Sequence, residues 1–173
     1  MTDPASPSPD KGASTASGGL RAVLDTNVPV AAHLSRNAHS PTIELLDRWR
    51  HGEFIQLYSD DTLLELVEKL QVRKVSQDAI ARYVADLLLL GEFVMVRPEQ
   101  IPNVIQADPD DNAILACAFL GRASHIVTYD PHFHFLGGSY QGIPILDGLH
   151  FLYVVRGDLA PDQEAVMPSA YSD

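Results

Sequence analysis

Two short apolar runs in this chain of 173 residues each end in an aspartate: Val23-Leu24-Asp25-Thr26-Asn27 and Val127-Thr128-Tyr129-Asp130. If both runs are parallel strands, the two carboxylates share one edge of a sheet, which is where open α/β sheets bind ligands. Like charges about 4 Å apart repel by roughly 4 kcal/mol at an effective dielectric near 20, so carboxylates gathered there need a cation or take up protons. A third acidic group, Asp108-Pro109-Asp110-Asp111, precedes the apolar stretch Ala113 to Leu120. A fourth acid, Glu65, lies in the amphipathic stretch Thr62 to Leu70. At 100° per residue, Leu63, Leu66, Val67 and Leu70 share a face there and Glu65 lies roughly opposite.

Each acid also has a simpler role open to it. Asp25 and Asp130 can cap a helix or start a turn. Asp108 as N-cap, Pro109 at the first helical position and acids through the first turn would all favour the helix dipole. Glu65 can be a solvated surface acid paired with Lys69 one turn on, or an acid facing a cleft that its helix walls.

Other chemistries find less support. An EF-hand fails, because the Gly and the terminal Glu of its loop are missing around Asp108. His125, His132 and His134, with His33 and His39 further off, have no characteristic ligand spacing, and are expected as polar loop residues at the rim of the acidic pocket. Cys117 sits among Ala116, Ala118 and Phe119 and reads as a small core residue. Gly137-Gly138-Ser139 reads as a turn, since no phosphate-loop lysine follows it. A phosphoaspartate receiver wants acids near the first strand's start, a Thr at the fourth strand and a Lys at the last, and of these only Thr128 fits.

The elements that must position these residues are short β-branched or aromatic runs at Leu20 to Leu24, Phe54 to Tyr58, Phe93 to Val96, Ile126 to Tyr129 and Ile143 to Leu146. Helical stretches lie between them, at about 28–35, 41–51, 60–73, 77–91 and 109–121, with a last one over 147–154. Ser40 before Pro41, with Glu44 following, predicts a helix start, and Gly52 and Gly121 sit just past helix ends. Strands alternating with helices predict βαβ crossovers. The fold class is α/β, with three layers and a mostly parallel sheet of four or five strands. Asp25 and Asp130 should then lie at the carboxyl ends of neighbouring strands.

Residues 1–19, rich in Ser, Pro, Gly and Ala, predict a disordered leader, and residues 157–173 a disordered acidic tail. One domain over 20–156 remains. No apolar run approaches the roughly 20 residues that span a bilayer. The single Cys117 excludes a disulfide framework, and the first twenty residues lack a basic start and an apolar segment, so a cytoplasmic location is expected. The formal charge is -11, and residues 21–156 hold 17 acids against 11 bases. Such a balance is unusual for a nucleic-acid binder, whose affinity comes largely from Lys and Arg on phosphates.

Taken together, the four acidic segments resemble the PIN-domain family of nucleases, particularly its toxin components of toxin-antitoxin pairs. The resemblance covers about 21–154. It is carried by Val23-Leu24-Asp25-Thr26-Asn27, by Ser59 to Leu70 with its Leu64-Glu65-Leu66 core, and by Asp108-Pro109-Asp110-Asp111-Asn112 opening an Ala-rich helix. Val127-Thr128-Tyr129-Asp130 with Phe133 close behind, and the late Gly142-Ile143-Pro144-Ile145-Leu146, complete it. Tyr129 and His132 occupy positions where the family varies, and Pro29 is less usual at its place.

The resemblance implies that Asp25, Glu65, Asp111 and Asp130 are the catalytic, metal-binding quartet. It implies supporting roles for Thr26, Asn27 and Thr128, and outer or capping roles for Asp108 and Asp110. Oxygen-only ligation of that kind selects hard ions, Mg²⁺ or Mn²⁺. Such ions can activate water and stabilise in-line displacement at a phosphodiester. The implied function is metal-dependent RNA hydrolysis by a homodimeric toxin with a cognate antitoxin partner; a PIN fold that binds RNA or a protein without cutting is the alternative. Arg48, Arg50, Lys69, Arg73, Lys74, Arg82 and Arg122 are available to hold phosphates.

Overall fold

The computed structural model describes residues 19–158, so nearly all of the expected leader and of the expected tail lies outside the described residues. The chain runs β1 (Arg21–Leu24), α1 (Asn27–Leu34), α2 (Pro41–Arg50), β2 (Ile55–Tyr58), α3 (Asp60–Val72), α4 (Gln77–Leu90), β3 (Glu92–Phe93) and α5 (Asp111–Leu120). It continues through β4 (His125–Val127), β5 (Ser139–Tyr140), β6 (Ile143–Leu146) and α6 (Gly148–Arg156), with 3₁₀ turns at Pro98–Gln100 and Pro131–Leu136.

The strands form one sheet in the order β3-β2-β1-β4-β6-β5. All neighbours are parallel except β5, which pairs antiparallel with β6. Side chains alternate across the sheet with the strand period of two. Ala22, Leu24, Tyr58 and Val127 join α1, α2, α3, α4 and α6 in one core, while Val23, Leu57 and Ile126 join α5 in the other. Three layers result, with α5 so enclosed that Asp111 through Ala118 are all buried.

The chain leaves β1 for β2 on one side and later returns to β4 on the other, so the strand order reverses between β1 and β4. Their register, Leu24 opposite Val127, is prolonged by the Asp25 amide donating to the Val127 carbonyl at 2.8 Å. As expected from the sequence, Asp25 and Asp130 follow the carboxyl ends of neighbouring strands.

Four local expectations are refined. The sheet has six strands, because Ser139–Tyr140 forms β5 and pairs with β6 across Gln141 and Gly142, whose φ of 49° and 78° reverse the chain into a hairpin that a turn reading of Gly137-Gly138-Ser139 does not include. β3 is two residues long and lies at the sheet edge, although the Val94 amide still reaches the Tyr58 carbonyl at 2.7 Å. Ser40 gives α2 no side-chain cap; its hydroxyl pairs with the Thr42 hydroxyl at 2.9 Å. Finally, α5 begins at Asp111 rather than 109, since Asp108 turns the chain first, its Oδ1 accepting from the Asp110 amide at 3.2 Å.

Two single residues behave as space requires. Cys117 is fully buried, and burial pushes its thiol up to about 12. Gly121 has an ordinary φ of -79°, but a β-carbon there would lie 2.7 Å from Val94 Cγ2 and 2.8 Å from the Cys117 carbonyl. Its small size lets the end of α5 close onto β2.

Candidate active site

Asp25 stands one residue past β1 and is 1% exposed. Its Oδ1 accepts from the Thr26 amide at 2.7 Å, and its Oδ2 accepts from the Thr128 hydroxyl at 2.6 Å and the Asn27 side-chain amide at 3.0 Å. Burial raises its pKa, with the Thr128 hydrogen bond and the Lys69 charge opposing. The same polar residues tie the two strand ends together. Asn27 Oδ1 accepts from the Tyr129 amide at 3.2 Å, and Thr128 Oγ1 accepts from the Asp130 amide at 2.9 Å. The Thr26 amide and the side chains of Asn27 and Thr128 thus all donate to the Asp25 carboxylate.

Asp111 opens α5 and is 2% exposed. What fixes this helix start is its neighbour Asn112, whose Oδ1 accepts from the amides of Val104 at 3.1 Å and Ile105 at 2.8 Å. Its Nδ2 donates to the Ile105 carbonyl at 2.8 Å and the Pro109 carbonyl at 3.1 Å. Truncation would orphan the buried amide and carbonyl of Ile105 and the part-buried Val104 amide, costing about 3 kcal/mol. Asn112→Ala is accordingly expected to lower the melting midpoint by roughly 10 °C, and a shift within about 2 °C in a thermal melt would remove this anchoring role.

Burial pushes the Asp111 carboxyl up to about 7, and the charge of Asp25 adds to the rise. One carboxylate oxygen each from Asp25, Asp111 and Asp130 lie within 4.8 Å of one another. Asp130 holds its own turn, its Oδ1 accepting from the His132 amide at 2.9 Å. His132 Nδ1 lies 3.1 Å from Asp111 Oδ2 and 3.2 Å from Asp130 Oδ1. Its pKa is raised, chiefly by the hydrogen bond to Asp111. Asp108, Asp111 and His132 form a second such group.

Glu65 is both things the sequence left open. It pairs with Lys69 Nζ at 2.5 Å, yet its side chain is only 14% exposed and walls a cleft of about 400 Å³ with Asn27, Lys69, Arg73, Asp108 and Asp110. Burial raises its pKa and the Lys69 hydrogen bond opposes. For Lys69 burial acts downward, but Glu65, Asp25 and Asp111 outweigh it and the net shift is upward. The structure thus gathers Asp25, Asp111 and Asp130 directly and sets Glu65 on the adjoining wall.

A family profile described as PIN domain matches residues 21–132. The chain belongs to the PIN-domain family. The match spans all four acids, from Asp25 to Asp130. The fold is similar to the crystal structure of PAE2754 from Pyrobaculum aerophilum, with a TM-score of 0.53 and 16% identity over 88% of this chain and 100% of that one. At that identity the likeness bears on fold alone. No curated protein matches the chain.

PIN domains are generally metal-dependent nucleases, and the residues of this PIN domain fit a divalent ion. Three carboxylates arrive from three separate chain segments, and the pKa values of Asp25 and Asp111 are raised. The all-oxygen set of Asp25, Asp111 and Asp130 suits a hard cation. Among the described residues no helix is long and apolar enough to cross a membrane.

His132 and Lys69 are the site residues that sequence reasoning undervalued. His132 was expected only at the rim, whereas it touches two of the acids. Its signal was its place two residues after Asp130, beyond a proline that tightens the turn. Lys69 was legible as a partner of Glu65, but its closeness to the other acids depends on α3 packing beside α5.

Proposed function

We propose that this PIN domain is a divalent-metal-dependent endoribonuclease that hydrolyses RNA phosphodiesters, acting as the toxin of a toxin-antitoxin pair. The convergence of Asp25, Asp111 and Asp130 oxygens within 4.8 Å, beyond the carboxyl ends of β1 and β4, carries the reading. In it these three residues hold Mg²⁺ or Mn²⁺ and Glu65 completes the acidic set. A bound ion of this kind supplies water activation and charge neutralisation for in-line displacement at phosphorus.

The chain's own groups prepare that step. Three donors fix the Asp25 carboxylate, so little reorganisation is needed when a ligand arrives. Lys69 pairs with Glu65, opposes the burial that raises its pKa and offsets part of the local negative charge. His132, with its Nδ1 near both Asp111 and Asp130, is placed to take up a proton at the mouth of the site.

The toxin role follows the resemblance of the four motifs, and an acidic site attractive to Arg or Lys of an antitoxin is consistent with it. A homodimer and a small neighbouring antitoxin gene are expected. A monomer at micromolar concentration with no such gene would remove the toxin role and leave the nuclease.

The test of cleavage incubates wild type and Asp130→Asn with matched RNA and DNA oligonucleotides, with and without EDTA. RNA cut by wild type alone, and only with Mn²⁺ or Mg²⁺, is the expected result. Cleavage persisting in EDTA or in Asp130→Asn would overturn the mechanism. Preference for DNA would overturn the substrate, and binding of RNA without cutting would favour a non-cleaving module.

A further inference from the structure

An acidic chain that handles RNA must grip phosphate with the few cations it has free. Arg21, Arg48, Arg50, Lys69, Arg97 and Arg156 are all held in ion pairs with carboxylates. Arg36, Arg73, Lys74, Arg82 and Arg122 form no ion pair among the described residues. Of these five, Arg73 lines the cleft that Glu65, Asp108 and Asp110 share. Arg82 opens into a separate hollow between α2 and α4, beside His33 and Arg50. Arg122 follows Gly121, whose carbonyl accepts from the Arg21 guanidinium, which places it at the opposite end of β1 from Asp25.

We infer that Arg73 is a phosphate-gripping residue, and that a single RNA strand enters the acidic site along the wall of α3, past Arg73 and then Lys69. This inference rests on the endoribonuclease reading. Arg73 and Lys69 are one turn apart on α3, about 6 Å along its axis, so both serve one strand running along the helix. Arg73 is the C-cap of α3, where the helix dipole favours a cation, and its charge is not consumed by a neighbouring acid. Val30 and Val72 line the same open cleft of about 400 Å³ and offer apolar surface to an unstacked base, which a single strand presents and a duplex keeps in its stack. Lys69, tied to Glu65, marks the point where the strand meets the acids.

The experiment uses the full chain and a fluorescein-labelled single-stranded RNA oligonucleotide, with Ca²⁺ replacing Mg²⁺ so that binding is read without turnover. Anisotropy is followed across roughly 50 to 200 mM salt. Arg73→Ala and Arg73→Gln should each weaken binding about fivefold and flatten the slope of log affinity against log salt by about 0.7, the value for one phosphate contact on a single strand. Arg73→Lys should restore the slope, and Arg122→Ala should change neither quantity. With Mn²⁺ present, Arg73→Ala should raise KM and leave kcat within about twofold, as loss of uniform binding does. Unchanged affinity and slope in both neutral variants, with wild-type cleavage intact, would overturn the inference and spare the nuclease reading. Wild type that neither binds nor cuts RNA would overturn both.

Discussion

Asp25→Asn is expected to reduce Mn²⁺-dependent cleavage by more than about 100-fold, beyond the loss typical of changing a group one shell further out. The substitution keeps the shape of the side chain and removes its charge. In the proposed metal site it deletes a ligand from the Asp25, Asp111 and Asp130 set. In the metal-free protein the same change relieves repulsion on Asp111, whose carboxyl feels the charge of Asp25. Asparagine at 25 can still accept from the Thr26 amide, but its own amide must face Thr128 or Asn27, both of which donate to the native carboxylate. Those effects oppose one another, so the metal-free melting midpoint should stay within a few degrees of wild type. Marked unfolding of the variant would assign Asp25 to structure rather than to metal. Undiminished Mn²⁺ affinity in calorimetry would equally remove it from the ligand set.

The elements of this PIN domain were legible because its chain alternates cleanly between periods. Helices α1 to α4 lie within a residue or two of the spans drawn from apolar spacing and capping residues. Asp25 and Asp130 were legible because they end strand-like runs, and the reversal of strand order between β1 and β4 makes those ends neighbours. Glu65 was left open between a surface and a cleft-facing acid, because a helical wheel assumes one wet face. On α3 the face opposite Leu66 and Leu70 is covered in part by the cleft wall, leaving the Glu65 side chain 14% exposed. The start of α5 was misplaced by two residues because Asp108 and Pro109 carry every local signal of a helix start. The deciding interaction is instead the reach of Asn112 back to Ile105, a contact across a loop with no sequence signature. Likewise β5 owes its existence to pairing with β6 and not to any pattern in its two residues.

Acidity should stabilise the metal-free protein, and this is the second large effect expected. The Asp111 carboxyl is raised to about 7 by burial and by Asp25, against about 3.9 in an unfolded chain. Between those values the folded state binds the proton that the unfolded state has released, so stability falls as pH rises. The slope is at most about 1.4 kcal/mol per pH unit, or roughly 3 °C of melting midpoint for a domain of this size. His132 acts in the same direction, since its raised pKa stabilises the fold below the ordinary histidine value and that contribution fades as pH climbs. Raised values at Asp25 and Glu65 add to the trend. Metal reverses it, because an ion competes with protons for the same oxygens and binds better as they leave. The gain in melting midpoint from millimolar Mn²⁺ should therefore grow from pH 6 to pH 8, while the midpoint in EDTA declines from pH 5 to pH 8. Asp111→Asn should flatten the EDTA profile and lose most of the Mn²⁺ gain. A metal-free midpoint that rises over this range, or an Asp111→Asn profile parallel to wild type, would show that Asp111 is ionised without metal and that the three acids are held apart in some other way.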